Sequence, residues 1–186
     1  DLAPEVRAQQ PLSSVNHWQV AAELPGGGQL ALLGWKATPP VFDGPEDRNG
    51  RRNHDEAAFW LQLLEGALPL PPPKPPFVIL GQTSLDPQDG GGRPDALRRL
   101  LDHPALQDPA PQGSHGRQEP GHRGKAALDT ALYDGLGGLR VEVVLPSADL
   151  VVQSAGVMWP PPTDPLADIL AQASRHRPVW VDLALP

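Results

Sequence analysis

Apolar and polar residues alternate in His17-Trp18-Gln19-Val20, and an almost unbroken apolar run follows at Leu30 to Leu33. Pro25-Gly26-Gly27-Gly28 stands between them, so residues 17–36 are predicted to form two strands around a glycine turn, the second one buried. The segment 38–53, TPPVFDGPEDRNGRRN, is dense in Pro, Gly, Asn and Asp and reads as a long loop. Asn53 then suits a helix N-cap, with Asp55 and Glu56 in the first turn. Phe59, Trp60, Leu63 and Leu64 form the apolar stripe of a helix over 54–66.

Further along, PLPPPKPP (69–76) reads as a polyproline-II connector into a strand beginning FVIL at Phe77. Pro94 opens a short helix to about Asp102. Residues 108–138 have no period and many turn formers, the mark of a long irregular loop. LRVEVVL (139–145) and ADLVVQSAGVMW (148–159) are predicted to pair as a hairpin around Pro146-Ser147. A helix from Asp164-Pro165 to about Ala173 and a final strand PVWVDL (178–183) complete the chain. The sum is a single α/β (α+β) domain over 1–186 with at least six strands and three helices.

Composition narrows the function classes. The net charge of −7 over 186 residues argues against general nucleic-acid binding, which needs a basic face. With no cysteine there is no disulfide, thiolate metal site or cysteine nucleophile, and the redox compartment stays open. No apolar run is long enough for a membrane helix. The polar opening DLAPEVRAQQ lacks a signal-peptide pattern, and a processed N-terminus would read the same, so extracellular, periplasmic and cytoplasmic locations stay open. The 25 prolines and 19 glycines mostly punctuate periodic segments, as in a loop-rich folded domain.

Two groups of residues carry candidate chemistry. Strand ends deliver polar side chains at Gly81-Gln82-Thr83-Ser84 and Ser174-Arg175-His176-Arg177, where sites are commonly built; solvated turns have the same look. The other group is Arg48, Arg51 and Arg52 with Asn49, Asn53 and His54. These arginines either fork onto a phosphate or carboxylate, with Asn53 beside them, or pair with Asp43, Glu46, Asp47 and Asp55 as a structural latch.

The order of these pieces resembles the carboxy-terminal portion of the endonuclease/exonuclease/phosphatase superfamily, in its bacterial branch. TPPVFDGPEDRNGRRNHDE (38–56), LDHPALQDPAP (101–111), ALDTA (127–131), VLPSA (144–148) and SRHRPVWVDL (174–183) carry the likeness. It implies a two-layer β-sandwich flanked by helices that hydrolyses phosphate esters with Mg²⁺ or another divalent metal. The resemblance also implies that this chain lacks the family's amino-terminal strands and their metal-binding glutamate.

Residue by residue, the implied site is edited. The family's Gly-Asp-x-Asn falls on Gly81, Gln82 and Ser84, its phosphate-contacting histidine on Lys36, and its strand aspartate on Glu142. An aspartate after the His-Trp pair falls on Gln19, and the terminal histidine is kept as His176. Mg²⁺ needs near-octahedral oxygen ligands with carboxylate charge. Gln82 brings no charge, Lys36 repels a cation, and Glu142 alone stays as a metal candidate. His176 is expected to lack its orienting carboxylate.

Three outcomes stay open: a catalytically impaired binding protein without a cofactor, a site rebuilt around Lys36 in an apolar pocket as base or amine nucleophile, or residual metal-dependent hydrolysis through Glu142 and His176. The missing half would expose the apolar face of Leu30–Leu33, Phe77–Leu80 and Val141–Leu145, so a homodimer or a separate chain supplying that half is expected.

Overall fold

The computed structural model describes residues 3–114 and 119–185. Residues 115–118, inside the segment read as a long irregular loop, lie outside them, as do Asp1, Leu2 and Pro186. The architecture is mixed α+β, as the pattern predicts, with sheet layers flanked by helices, as the resemblance implies. Eight strands and four α-helices lie among the described residues.

A central sheet carries the core. β1 (Asn16–Glu23) and β2 (Gln29–Lys36) form the expected antiparallel hairpin. Its turn needs three successive positive φ values at Gly26, Gly27 and Gly28, which only glycine adopts freely. β3 (Phe77–Gln82) runs parallel to β2, and β6 (Glu142–Pro146) runs antiparallel to β3, giving the order β1-β2-β3-β6. Parallel pairing requires a crossover, supplied by α2 (Arg48–Leu64) and the proline connector. Leu33, Trp35, Ile79 and Leu145 on one face bury against Ala57, Trp60 and Leu61 of α2 and Leu100 of α3 (Asp95–Leu101).

The other face is more open. Register places Trp18, Gly34, Leu80 and Val144 side by side on it, with Val20 and Leu32 in the next row. Trp18 is 60% exposed and Val20 51%. The stretch expected to be buried throughout, Leu30 to Leu33, therefore splits by pleat: Leu33 is fully buried while Leu30 and Leu32 are half-buried.

The structure corrects three predicted elements. First, α2 begins at Arg48, six residues before the expected start. Its cap comes from outside the expected position: Asp43 Oδ2 accepts from the Asn49 amide at 2.5 Å, while Asp47 sits in the left-handed region. Asn53 thus lies well inside the helix. Second, β6 and β7 (Val151–Val157) do not pair with each other. Ser147 instead ties the end of β6 to β3, its amide donating to the Phe77 carbonyl and its hydroxyl accepting from the Phe77 amide. β7 turns away to pair with β8 (Val179–Ala184). Third, the 108–138 segment contains a 3-10 turn (Ala126–Leu128) and a hairpin of β4 (Ala131–Tyr133) and β5 (Gly137–Leu139).

Two outlying helices, α1 (Pro4–Gln9) and α4 (Leu166–Ala173), contain no buried residue. No helix among the described residues is long and apolar enough to cross a membrane.

Candidate functional site

One register line of the central sheet collects the chemistry. Lys36 pairs with Gln82, and Gln82 pairs with Glu142, across β2, β3 and β6. Side chains directly opposite one another in a ladder project from the same face. These three residues therefore stand in a row at one end of the open face, with Asn16 of β1 completing it.

His176 reaches the row from the connection between α4 and β8. Its backbone bridges to Ala131, and the neighbouring Arg175 carbonyl accepts from the Leu132 amide, so the β4 hairpin sets its position. Its ring Nδ1 lies 2.5 Å from Glu142 Oε1, and Gln82 Nε2 lies 3.3 Å from its Nε2. Tyr133 meets the imidazole edge-to-face at 5.9 Å, and the Arg175 guanidinium lies over the Tyr133 ring at 5.6 Å. The expectation that His176 lacks an orienting carboxylate is thereby corrected: Glu142 supplies one from the adjacent strand.

The hydrogen-bond polarity is chemically specific. If Nδ1–H donates to Glu142, the Nε2 lone pair faces outward as that of a neutral base. The Gln82 amide nitrogen lies 3.3 Å from Nε2 and 3.5 Å from Nδ1, so it packs against the ring between the two nitrogens and leaves the outward lone pair uncapped. Burial pushes the Glu142 carboxyl above its ordinary range, opposed by Thr130, His176 and Lys36. Its second oxygen, Oε2, is buried with no hydrogen bond of normal length. Burial likewise raises the Tyr133 phenol, as does Glu142.

Lys36 is exposed, with Trp35 and Ala37 buried in the core cluster, so no apolar pocket encloses its amine. Ser84 does not bond to the row; its hydroxyl donates to the Ala37 carbonyl at 3.0 Å from a residue held at φ 52°. Gln19 lies exposed on β1 and pairs with Leu33, one register face away. The structure thus joins Lys36, Gln82, Glu142 and His176 and leaves Ser84 to the loop.

This donor set does not fit a divalent cation. Glu142 is the one carboxylate of the row, its Oε1 is engaged by His176, and an ammonium stands two strands away. Among the described residues no group of three His, Asp or Glu side chains is arranged to hold a metal. Asp86 and Asp89 serve the backbone instead. Asp86 accepts from the Gln88, Asp89 and Arg140 amides, and Asp89 from those of Arg123 and Gly124. Asp86 caps the turn that follows it, and both acids also tie in distant segments.

Around α2 the arginines and Asn53 part company. Asn53 is 2% exposed and its amide donates to the Thr38 and Thr83 carbonyls at 2.7 and 2.8 Å. It pins the loops leaving β2 and β3 to the helix. Of the acids once weighed as latch partners, Glu46 lies 3.8 Å from Arg48, while Asp47 pairs with Arg93 and Asp55 with His54.

Three structural residues have no local signal in the sequence. Glu56, placed in a first helical turn, is fully buried and accepts from the Thr38 amide and hydroxyl and the Ser14 amide. Tyr133 and Thr130 sat in the apparent loop. An acid three residues after an asparagine gives no local signal of burial, because both partners of Glu56 lie far away in sequence.

No protein-family model and no curated protein matches this chain. Among solved structures it is similar to an endonuclease/exonuclease/phosphatase from Beutenbergia cavernae DSM 12333, with a TM-score of 0.57 at 16% identity over 90% of this chain and 38% of that one. A mannosyl-6-phosphatase from Bacteroides thetaiotaomicron VPI-5482 aligns at a TM-score of 0.47 and 17% identity, over 86% of this chain and 52% of that one. The chain therefore spans well under two thirds of either. The first likeness shows the fold alone: the chain folds like the part of that endonuclease/exonuclease/phosphatase structure it covers.

Proposed function

We propose that this chain is a phosphoesterase-type scaffold whose metal-dependent site has been dismantled, and that it works by binding rather than by metal-dependent turnover. The observation that carries this reading is the position of Gln82. An amide stands where a metal site needs a carboxylate, packed against the His176 ring at 3.3 and 3.5 Å from its two nitrogens. The apolar side chains Trp18, Val20, Leu80 and Val144 beside the row support an interaction role, taken by a second copy or a separate chain.

The test restores the expected groups together: Lys36→His, Gln82→Asp and Ser84→Asn. Metal-dependent cleavage of a model phosphodiester gained by this triple variant, against a silent parent, is the expected result. A parent that already turns over with Mg²⁺ or Mn²⁺ overturns the reading. Sedimentation velocity measures the interaction role; a monomer at all concentrations speaks against self-association.

A second reading rests on the Glu142–His176 contact. A carboxylate on Nδ1 and an uncapped Nε2 lone pair make a general base. Slow metal-independent hydrolysis that vanishes in His176→Ala and falls in Glu142→Gln is the signature of this alternative.

A further inference from the structure

Two of the three arginines in the first turns of α2, Arg51 and Arg52, have no role in the fold. Arg48, Arg51 and Arg52 are spaced so that they share one side of the helix's first turns. With Arg7 of α1 they line a cavity of about 730 Å³. Glu46 and Asp55 line it too, and each has its own partner, Arg48 at 3.8 Å and His54 at 3.2 Å.

Arg52 is the informative residue. Three arginines among the described residues are not fully exposed: Arg52, Arg140 and Arg177. Arg140 forks onto both Asp108 oxygens at 2.6 and 2.8 Å. Arg177 donates to the Leu170 and Ser174 carbonyls and lies over the Trp159 ring. Arg52 has neither carboxylate nor carbonyl within reach among the described residues, and neither do the exposed Arg51 and Arg7. Partly desolvating a guanidinium without a partner is unfavourable. Three unpaired guanidinium forks around one cavity form a donor set that an anion would satisfy.

We infer that this cavity binds an oligophosphate anion. Each fork matches two phosphoryl oxygens, and a single phosphate would leave both the forks and the volume mostly unfilled. The chain's net charge of −7 means that attraction must be local, which favours a small, densely charged ligand over a long nucleic acid. None of the residues lining the cavity belongs to the Lys36–Gln82–Glu142–His176 row. The inference is therefore independent of the proposed function.

Calorimetric titration of the chain with inorganic phosphate, pyrophosphate and tripolyphosphate tests this. Affinity should rise along that series and fall as salt is raised. Arg51→Ala/Arg52→Ala should weaken tripolyphosphate at least tenfold, and Arg99→Ala, whose guanidinium pairs with Glu65 elsewhere, should leave it unchanged. Arg51→Ala alone changes an exposed side chain and guards against misfolding of the double variant; it should weaken binding by a smaller factor. ATP in a parallel arm distinguishes a nucleotide tail, which would bind more tightly than tripolyphosphate, from a free oligophosphate. No tripolyphosphate binding at millimolar concentration, or equal losses in the Arg99 and Arg51 variants, overturns the inference.

Discussion

Glu142 Oε1 and His176 Nδ1 lie 2.5 Å apart although 34 residues separate them in sequence. One comes from β6, the last strand in the order of the central sheet, and the other from the turn ahead of β8. The contact holds the imidazole ring in position and favours the tautomer that donates from Nδ1. In neutral His176 the proton is expected on Nδ1. Heteronuclear NMR of ring-labelled protein reads the tautomer directly, and Glu142→Gln should shift the population toward Nε2–H. An unchanged tautomer in the variant would mean that the contact does not govern the ring.

Asp129 makes stability depend on pH in an unusual direction. Burial first, then Asp86, raise its carboxyl from 3.8 to about 7, with His122 opposing. The folded state therefore holds the proton more tightly than the unfolded chain. Its contribution is fully present below the unfolded value and is lost as pH rises toward about 7. Unfolding free energy should fall across that window, by up to about 4 kcal/mol for a shift of this size. Asp129→Asn should flatten the fall. Parallel curves for the two proteins in urea titrations at several pH values would contradict the assignment.

Asn53→Ala should destabilise the fold by about 2–4 kcal/mol, since two buried carbonyls lose their donor. Equilibrium urea denaturation measures it. A loss below about 0.5 kcal/mol would show that water replaces the amide, contrary to its burial.

Gly81→Ala is expected to be more severe. A Cβ there would lie 1.9 Å from the Trp35 carbonyl oxygen, on a backbone with φ at +153°. A loss of more than about 3 kcal/mol, or failure to fold, is expected because backbone rather than a side chain must move. A near-neutral variant by thermal denaturation would refute the close approach of β2 and β3.

Much of this architecture was legible in residue order. The β1–β2 turn, the strand at Phe77 and the final helix and strand follow from local period and punctuation. The errors share a physical cause: partners distant in sequence. α2 starts early because Asp43 caps it from a preceding loop. Pro146-Ser147 looked like a hairpin turn because the Phe77 groups that hold Ser147 lie 70 residues away. The row Lys36–Gln82–Glu142 was named residue by residue from a resemblance, but sheet register alone shows that the three align. The carboxylate partner of His176 was missed because a longer side chain at 142 reaches what a position-by-position comparison counts as lost.

The layer that delivers His176 is far less deeply buried than the layer that holds Glu142. α4 contains no buried residue, leaving Leu166 and Ile169 more than half exposed, and β8 meets the central sheet at β6. Segments with few buried contacts open at lower free energy than the core. Amide exchange in residues 164–184 should therefore outpace that in β2 and α2. The imidazole would then leave its carboxylate in brief sub-global openings while the rest of the molecule stays folded, and Glu142 would spend those intervals as a carboxylate facing solvent.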